Sequence, residues 1–362
     1  MLVLSESDVR KCLDMDTCLA VNRQALIAVA SGDAVVPSRL ALPYHSPREH
    51  NDNISPAAED WSLFKPASLH ASSTTTTLQT GVKVVSIRAA NPAKGFPLVP
   101  ATVLHMDPDT GIVDAVLAAT YLTGARTAAG SAVAIQHYWR QNQQSSATAV
   151  PPPHVVIFGA GLQAEQHVHA IGTAFGSTGT ILPTVTLVNR SAPRAEQLKH
   201  TLIRDGWVGE CRVVLLHDKD AVAAALQTAS VIVTCTNAVA PLWDDVAASE
   251  RIPDTCIIVG IGSYTANMQE VPVATVNRCR CVWIDTPEAV TVGDLKHLKD
   301  EKHNAPPVQL LGQVLQNGDS EYRQNGLVFY KAVGTAIQDV LTADAVVKRA
   351  RELNIGTEVD MS

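Results

Sequence analysis

A glycine-containing turn after an apolar strand constrains the fold of this chain more than any other feature. Residues 154–158 (HVVIF) predict a buried strand that runs directly into Gly159-Ala160-Gly161-Leu162-Gln163-Ala164. In this G-x-G-x-x-A pattern the first glycine permits the tight turn, the second lets a pyrophosphate approach the backbone, and the alanine allows close helix–strand packing. The turn therefore predicts a dinucleotide site at Gly159, Ala160, Gly161, Leu162 and Gln163, with a tight turn that holds no ligand as the alternative.

The second half of the chain alternates between predicted strands and predicted helices. Strands are predicted at residues 155–158, 184–188, 212–216, 231–234, 256–259 and 281–284, and helices begin at Gln163, Pro193 and Lys219. Such alternation indicates a parallel, doubly wound sheet with right-handed crossovers. A last helix, at about residues 330–353, follows too late to be another crossover, and we expect it to pack on the N-terminal part of the chain.

The N-terminal third has a different pattern, typical of an α+β domain. It predicts helices at 6–15 and 17–30, a polar surface loop at 43–66, strands at 72–77, 81–87, 99–106 and 112–117, and a buried helix at 122–138. A turn at residues 107–111 makes the later strands an antiparallel meander. The polar segment 141–146 and the prolines 151–153 predict a linker. We therefore expect an α/β protein with a Rossmann-type domain at 141–324 and an α+β domain at 1–140 and 325–362.

The end of the second strand of the alternating region indicates which dinucleotide binds. A site that prefers NAD places an acidic residue there to bind the ribose 2′-hydroxyl, and this carboxylate would repel a 2′-phosphate. Asn189, Arg190 and Ser191 are neutral or cationic instead, and Arg194 follows one helical turn later. This pattern favours NADP(H) over NAD(H), with NAD(H) as the alternative if Arg190 is an ordinary solvated arginine.

Two further turns follow later strands of the same region. Thr236 and Asn237 follow the strand at 231–234, and Gly262 follows the strand at 256–259. Ligands of a doubly wound sheet lie over the carboxyl ends of its strands, near the point where the strand order reverses. We therefore expect these three residues to contact the nicotinamide half of the cofactor.

Three cations of the N-terminal third occur in apolar surroundings. Lys83 lies in the predicted strand 81–87, Arg126 in the small-residue helix 122–138, and Arg39 between Ser38 and Leu40. An unpaired charge is costly to bury, so each of these cations requires an anion. That anion is either a ligand's carboxylate or a carboxylate of the protein itself.

Composition and charge argue against several other classes of protein. The 28 Lys and Arg residues against 35 Asp and Glu residues give a net charge of −7, which argues against nucleic acid as a partner. The sequence has no run of about 18 apolar residues and no secretory signal pattern at its start. Its seven cysteines include no C-x-x-C pair, and neither a zinc motif nor a serine-hydrolase motif occurs. We expect a cytoplasmic protein with reduced cysteines and without a metal or a membrane partner.

Several segments together resemble the ornithine cyclodeaminase/μ-crystallin family in order and spacing. They are Gly81-Val82-Lys83, Asn91-Pro92, Asp109-Thr110-Gly111, Leu122-Thr123-x-x-Arg126-Thr127-Ala128-Ala129, the glycine turn and Gly334-Thr335-Ala336-x-x-Asp339. The resemblance implies a homodimer in which a substrate-binding and dimerisation domain accompanies a Rossmann domain. It also implies that Arg39 and Arg126 hold a substrate carboxylate, as suits the guanidinium fork, and that Lys83 donates or relays a proton beside the reacting carbon.

One departure from the family pattern bears on the reaction. Cyclodeaminases of the family have an aspartate just after the glycine pair that follows the fifth strand, where it engages the substrate amine, and here Tyr264 stands at that position. Relatives that resemble μ-crystallin also lack the aspartate and reduce cyclic ketimines. The resemblance thus implies an NAD(P)H-dependent oxidoreductase that reduces a small, cyclic imine or ketimine carboxylate to an amino acid such as proline or pipecolate.

Three other functions remain open from the sequence. The first is an ornithine or lysine cyclodeaminase that recycles NAD, and the second is a non-catalytic protein that binds NADPH and a ligand. The third is an oxidoreductase with a larger substrate, which the polar segment 43–66 suggests. The proton donor is also open, with Lys83 and Tyr264 as the two candidates.

Overall fold

The structure, a computed structural model, describes residues 1–44, 60–70, 78–143, 153–176, 182–244, 248–299, 305–317 and 326–361. It divides into two compact units, Met1–Thr127 with Gly334–Ser362, and Ala128–Val333. The boundary between Thr127 and Ala128 falls inside the helix Thr120–Gln143. The later part of this helix belongs to the second unit, where Tyr138 donates hydrogen bonds to the carbonyl oxygens of Asp254 and Gly326 at 3.3 Å. The domain limits expected at residues 140 and 325 stay a prediction.

The unit formed by the two ends of the chain contains a mostly antiparallel sheet. Its strands are β1 (Leu2–Leu4), β2 (Ala34–Val35), β3 (Leu40–Tyr44), β4 (Asp60–Leu69), β5 (Gln79–Ile87), β6 (Ala101–Met106), β7 (Val113–Ala118) and β16 (Thr357–Glu358). Their order is β16-β1-β7-β6-β5-β4-β2, and β3 also pairs with β4. The strands β5, β6 and β7 form the predicted antiparallel meander, whereas β1 pairs with β7 in parallel.

Helices cover one face of this sheet. They are α1 (Glu6–Cys12), α2 (Met15–Ser31), the first part of α3 (Thr120–Gln143) and α9 (Ala336–Leu353), and a 3₁₀ turn occupies Pro92–Lys94. The helix α9 packs on β4, β5 and β6 and against α1 and α2. Alternate residues of β4 and β5 are buried beneath it, so each strand presents every second side chain to this helix.

The structure corrects the predicted surface loop at residues 43–66. Residues 43–44 end β3, and residues 60–66 belong to β4; residues 45–59 lie outside the described part of the chain, as do residues 71–77 and the strand predicted there. The two-residue period of β4 was obscured because Lys65, a charged residue, occupies a buried position between Leu63 and Ala67. The charge made a half-buried strand resemble a polar loop.

The unit Ala128–Val333 is built around a parallel sheet. Its strands are β8 (His154–Phe158), β9 (Thr184–Asn189), β10 (Glu210–Leu215), β11 (Val231–Thr234), β12 (Ile257–Gly260), β13 (Cys281–Ile284), β14 (Val308–Leu310) and β15 (Val328–Lys331). Their order is β10-β9-β8-β11-β12-β15-β13-β14, and every pair is parallel. The strand order reverses beside β8, as in a doubly wound sheet. The predicted α/β fold of Rossmann type is confirmed.

Helices alternate with these strands and bury the sheet. They are α4 (Leu162–Gly176), α5 (Ala192–Arg204), α6 (Lys219–Gln227), α7 (Val273–Arg278) and α8 (Leu311–Asn317), with 3₁₀ segments at Ser249–Arg251, Pro287–Thr291 and Gly293–Lys299. Every residue of β11, β12, β13 and β15 is buried, as expected for strands covered on both faces. No helix in the described ranges is long and apolar enough to cross a membrane.

The start of the last helix also differs from its prediction. The residues 328–331 form β15, which like β14 was not predicted, and α9 begins only at Ala336. An apolar run as short as Leu327–Tyr330 does not distinguish a buried strand from a helix by its period. The chain turns at Gly334, which has φ of +79°, and Thr335 with Gln338 forms the capping box that starts α9.

Candidate active site

A buried cluster of three cations and one carboxylate lies in the unit that contains both chain ends. Asp339 Oδ1 accepts hydrogen bonds from Lys83 Nζ at 2.6 Å and from Arg126 Nε at 2.7 Å. Lys65 Nζ lies 3.6 Å from Asp339 Oδ2 and donates to the carbonyl oxygen of Gly334 at 3.0 Å. All four side chains are buried. We call Lys65, Lys83, Arg126 and Asp339 the cation cluster.

Two strands and two helices bring the cation cluster together. Lys65 on β4 and Lys83 on β5 are direct cross-strand partners on the face that α9 covers. Arg126 lies near the start of α3, and Asp339 lies in the first turn of α9. Cross-strand partners have Cβ atoms only about 5 Å apart, and like charges at such positions destabilise a sheet. An anion between them offsets this repulsion.

The segment before α9 fits closely around Arg126. A Cβ on Gly334 would lie 2.7 Å from Arg126 Nη1, so only glycine permits this approach. Gln338 Oε1 accepts hydrogen bonds from Arg126 Nη1 at 3.4 Å and from the Thr335 backbone N–H at 3.1 Å. The Gln338 amide in turn donates to Asn22 Oδ1 at 3.1 Å. These contacts hold the guanidinium in one orientation.

The charges of the cation cluster do not balance. Burial and the charge of Arg126 hold the pKa of Lys83 well below its ordinary value, and Asp339 opposes them. Burial alone would raise the pKa of Asp339, but Arg126, Lys83 and Lys65 bring it below its ordinary value. The single carboxylate is therefore ionised against a larger positive charge. Among the described residues, one carboxylate thus faces three cations, an arrangement that suits an anionic ligand.

The structure brings two of the predicted site residues, Lys83 and Arg126, to the same carboxylate oxygen. Asp339 is a carboxylate of the protein itself, as the alternative interpretation of these cations requires. In the described part of the chain it is the carboxylate that Lys65, Lys83 and Arg126 share. Lys65 was missed, although the alternation of buried positions along β4 is the signal that places it on the same face as Leu63 and Ala67.

Arg39 lies half-buried directly before β3. In the antiparallel pairing of β3 with β4, Leu40 lies opposite Phe64. Arg39 directly precedes Leu40, and Lys65 directly follows Phe64. The register thus places Arg39 at the end of the strand pair that carries Lys65. Its contact with a substrate carboxylate stays a prediction.

The glycine turn after β8 has a backbone geometry that fits a dinucleotide. Gly159 has φ of +115°, and a Cβ there would lie 3.0 Å from the Cys235 carbonyl oxygen. A Cβ on Gly161 would meet only Arg194 Nη2, at 3.4 Å. The side-chain oxygen of Gln163 is buried and accepts no hydrogen bond from the described residues. With the N-terminus of α4 at Leu162, this turn presents backbone N–H groups and an open approach to a pyrophosphate.

The residues after β9 surround the same turn with polar and cationic groups. Asn189 Nδ2 donates to the Ser191 carbonyl oxygen at 2.9 Å, and Arg194 Nε donates to the Ala160 carbonyl oxygen at 3.0 Å. The second bond holds the Arg194 guanidinium beside the glycine turn, while Arg190 is exposed. None of the positions 189–191 is acidic.

A second buried network joins the turns after β11 and β12. Glu270 Oε1 accepts hydrogen bonds from the Thr236 backbone N–H at 2.6 Å and from Thr236 Oγ1 at 2.7 Å, and Oε2 accepts one from the Gly262 N–H at 2.8 Å. A Cβ on Gly262 would overlap both Thr236 and Glu270. Asn237 is exposed beside Thr236. One carboxylate therefore holds together the two turns that the sequence assigns to the nicotinamide half.

Asp294 and Lys331 belong to the same buried hydrogen-bond network as Glu270. Asp294 Oδ1 accepts the backbone N–H groups of Glu270 at 2.7 Å and Val271 at 3.0 Å, while Oδ2 accepts hydrogen bonds from Ser263 and, at 3.2 Å, from Lys331 Nζ. Burial and the nearby charge of Asp294 raise the pKa of Glu270 to about 7. Sequence reasoning did not single out Asp294 or Lys331, because it assigned residue 331 to a helix and not to the carboxyl end of a strand.

Tyr264 follows these turns and is half-buried. Burial and the charge of Glu270 raise the pKa of its phenol, which keeps the hydroxyl protonated at neutral pH. In the described part of the chain, no group of three or more His, Cys, Asp or Glu side chains is placed to hold a metal ion.

Comparison with known proteins identifies the family. The sequence model of the ornithine cyclodeaminase/mu-crystallin family matches residues 2–354. The chain belongs to this family. The resemblance found in the motifs is thereby confirmed.

Individual relatives match over the whole chain. An uncharacterized cyclodeaminase of Dictyostelium discoideum is 28% identical over 100% of both chains. A Δ1-pyrroline-2-carboxylate reductase of Bacillus cereus is 26% identical over 99% of this chain and 100% of the relative. The solved structure of Thermococcus litoralis Δ1-pyrroline-2-carboxylate reductase in complex with NADH and L-proline matches with a TM-score of 0.78 at 23% identity, over 99% of this chain and 100% of that one.

Proposed function

We propose that this protein is an NAD(P)H-dependent reductase that converts a small, cyclic imine or ketimine carboxylate to an amino acid such as proline or pipecolate. The observation that carries the proposal is the cation cluster, in which Lys65, Lys83 and Arg126 face the single carboxylate of Asp339. Guanidinium and ammonium groups gathered in a buried site suit a substrate carboxylate, and a buried lysine suits the proton transfer that reduction of a C=N bond requires.

The names of the relatives support the class of reaction. The Bacillus cereus relative and the Thermococcus litoralis structure are both named for reduction of Δ1-pyrroline-2-carboxylate, a cyclic imine with one carboxylate. The oxidoreductase activity on a C=N bond that the sequence predicts is the activity for which these proteins are named. The predicted class of reaction agrees with theirs.

Three members of the cation cluster, Lys83, Arg126 and Asp339, have roles in this reaction. Arg126, together with Arg39, binds the substrate carboxylate through charge-assisted hydrogen bonds. Lys83 gives a proton to the imine nitrogen, and its lowered pKa makes that transfer easier. Asp339 holds the Lys83 and Arg126 side chains in place, and Tyr264 is the other candidate proton donor. A nicotinamide dinucleotide, when bound, supplies the hydride for the imine carbon.

The preference for NADP(H) is part of this proposal. Arg190 and Arg194 place two cations beside Asn189, where an NAD-preferring site has an acidic residue. The test compares the dissociation constants of NADPH and NADH for the wild type and for Arg190→Asp. We expect the wild type to bind NADPH more tightly and the variant to lose that difference.

A homodimer is supported by the face of the sheet that α9 does not cover. The side chains of Phe64, Val82, Val84, Leu104 and Val116 alternate with the buried positions and are only half-buried in the single chain. A contiguous apolar face of this kind is typical of a protein–protein interface. The cytoplasmic location expected from the sequence stays a prediction.

The second candidate is a cyclodeaminase, which the name of the Dictyostelium discoideum relative favours. Against it stands Tyr264, which offers a phenol where the resemblance expects a carboxylate for the substrate amine. A non-catalytic NADPH-binding protein is the third candidate.

One experiment separates the three candidates. The purified protein is incubated with NADPH or NADH and cyclic ketimine acids with five- and six-membered rings, and absorbance at 340 nm is followed. In parallel, ammonia is measured after incubation with ornithine or lysine. We expect nucleotide consumption with a ketimine. Ammonia release without net nucleotide consumption would instead establish the cyclodeaminase, and nucleotide binding without either reaction would favour the non-catalytic protein.

A further inference from the structure

We propose that Asn22 and Gln338 form a positioning pair that holds Arg126 in the orientation in which it binds the substrate carboxylate. The inference rests on the proposed function, because it concerns how a residue of the same site is presented to its ligand. Asn22 lies on α2 and Gln338 on α9, and their side chains are 0% and 2% exposed.

The partners of Gln338 decide which way its amide points. Oε1 accepts a hydrogen bond from the Thr335 backbone N–H at 3.1 Å and one from Arg126 Nη1 at 3.4 Å. A backbone N–H and a guanidinium only donate, so the atom that faces both must be the oxygen. The amide NH2 group therefore points the other way, toward Asn22 Oδ1, to which it donates at 3.1 Å.

The partners of Asn22 fix its amide independently. Nδ2 donates to the Cys18 carbonyl oxygen at 2.7 Å, and a carbonyl oxygen only accepts. The Thr342 hydroxyl donates its one proton to the Gln338 carbonyl oxygen at 2.7 Å, so its oxygen accepts from Asn22 Nδ2 at 3.4 Å. Asn22 Oδ1 is thus left to face Gln338. Rotating either amide by half a turn would place donor against donor, so the chain of bonds from Arg126 to Cys18 has a single consistent direction.

The result for Arg126 is that the protein binds two of the three guanidinium nitrogens. Nε donates to Asp339 Oδ1 at 2.7 Å, and Nη1 donates to Gln338 Oε1. Because a guanidinium is planar, fixing these two nitrogens also fixes the direction of the third. Among the described residues, none accepts a hydrogen bond from Nη2. Its protons are the ones that this geometry leaves for a ligand's carboxylate.

Asn22 matters because the Gln338 amide is buried. Without Asn22 Oδ1, the NH2 group of Gln338 would lose this acceptor, and an unsatisfied buried donor is costly. The Gln338 side chain would then rotate to reach another acceptor, and Oε1 would no longer hold Nη1. Asp339 would still accept from Arg126 Nε and from Lys83 Nζ. Loss of the pair should therefore weaken binding of the substrate carboxylate and leave proton transfer intact.

The test measures KM and kcat separately for cyclic ketimine acids with five- and six-membered rings, with NADPH or NADH at 340 nm. We expect Asn22→Leu and Gln338→Met each to raise KM for the ketimine about five- to twentyfold, with kcat and the KM for the nucleotide changed less than about threefold. The double variant should have a KM close to that of Gln338→Met, because Asn22 acts through Gln338. The control is Gln79→Leu, which removes another buried amide that bonds to α9, at Asp344 Oδ2 and 2.7 Å, and should leave KM unchanged.

An unchanged KM in Asn22→Leu, a loss confined to kcat, the same rise in Gln79→Leu, or effects that multiply in the double variant would overturn the inference and leave the proposed function intact. No turnover of any ketimine by the wild type would overturn both. If Asn22→Leu does not fold, Gln338→Glu decides. Its carboxylate keeps the size and the accepting oxygen of the amide but adds a negative charge beside Arg126, where it competes with the substrate. We expect a KM at least about tenfold higher in that variant, and an unchanged KM would overturn the inference.

Discussion

Lys83 has the surroundings that a proton donor requires. Its ammonium is buried, bonds to Asp339 at 2.6 Å and lies 3.4 Å from Thr123 Oγ1. Burial, Arg126 and Lys65 favour loss of the proton, and Asp339 favours its retention. A lysine under these opposing influences releases its proton to a substrate nitrogen more readily than an exposed lysine does.

Replacement of this lysine should therefore affect turnover and not cofactor binding. We expect Lys83→Ala to lower kcat for imine reduction by about 10²- to 10⁴-fold, the usual contribution of a positioned acid. The dissociation constant for NADPH, measured by fluorescence titration, should change less than about threefold. Lys94→Ala serves as the matched control. A loss of NADPH affinity as large as the loss of turnover would show that Lys83 does not act as the proton donor.

At this scale the sequence predicted part of the site. Lys83 and Arg126 were recognisable because each interrupts an apolar segment, where a buried cation needs an anion. Lys65 has the same property, but it lies in a strand whose neighbours Asp60, Ser62 and Ser68 are polar, so its burial was hidden. Asp294 was not recognisable either. No local pattern shows that its carboxylate accepts the backbone N–H groups of Glu270 and Val271, which lie in a separate segment of the chain.

Between elements, polar side chains join different strands and helices. His105 on β6 contacts Asp114 on β7 at 2.5 Å and Asp344 on α9 at 3.4 Å, and Arg351 Nη2 donates to Asp114 at 2.7 Å. Strand patterns were predictable from apolar alternation, and β15 was missed because a short apolar run has no distinctive period. The contacts between elements depend on tertiary packing, which the local sequence does not specify.

The His105 network should make stability depend on pH. Burial opposes protonation of His105, but its hydrogen bonds to Asp344 and Asp114 outweigh burial and raise its pKa above the ordinary value. A pKa raised in the folded state gives stability that is fully present below the unfolded pKa of about 6.5 and is lost as the pH rises through the folded pKa. We expect the free energy of unfolding in urea to fall as the pH rises above about 6.5, more steeply for the wild type than for His105→Gln. Parallel slopes would contradict this role, and His70→Gln, at an exposed histidine, is the control.

Glu270 should couple cofactor binding to pH. Because burial and Asp294 raise its pKa to about 7, the carboxylate accepts all three hydrogen bonds above pH 7, whereas one oxygen carries a proton below it. We expect the wild type to bind NADPH more tightly at pH 8 than at pH 6, and Glu270→Gln to bind about tenfold more weakly at pH 8 with a reduced pH dependence. The exposed Glu250→Gln is the control. A variant whose affinity follows the wild-type pH profile would show that Glu270 does not position the turns.

For the whole molecule, the sequence predicted the two architectures. The alternation of strands and helices and the antiparallel meander were both readable from apolar periods. The division between the two units falls inside α3, at Thr127. The shift in composition marks the polar segment after this helix, and the domain limits expected from it stay a prediction.

The apolar face of the sheet carries the prediction of the oligomeric state. We expect the wild type to sediment as a dimer, and Leu104→Lys, which places a charge in the middle of that face, to sediment mainly as a monomer with its circular dichroism spectrum retained. The control is Ile112→Lys, which changes an exposed isoleucine in the turn before β7. A dimer that persists in Leu104→Lys would show that the subunits meet at another surface.

The carboxylate of Asp339 comes from the last helix, more than two hundred residues after Lys83 and Arg126. During synthesis, domains generally fold from the N-terminus as they emerge, but the two cations have no partner from this helix until α9 has left the ribosome. The cation cluster therefore cannot form before α9 has been synthesised. A chain that stops before residue 339 would keep the glycine turn without the carboxylate that Lys83 and Arg126 share.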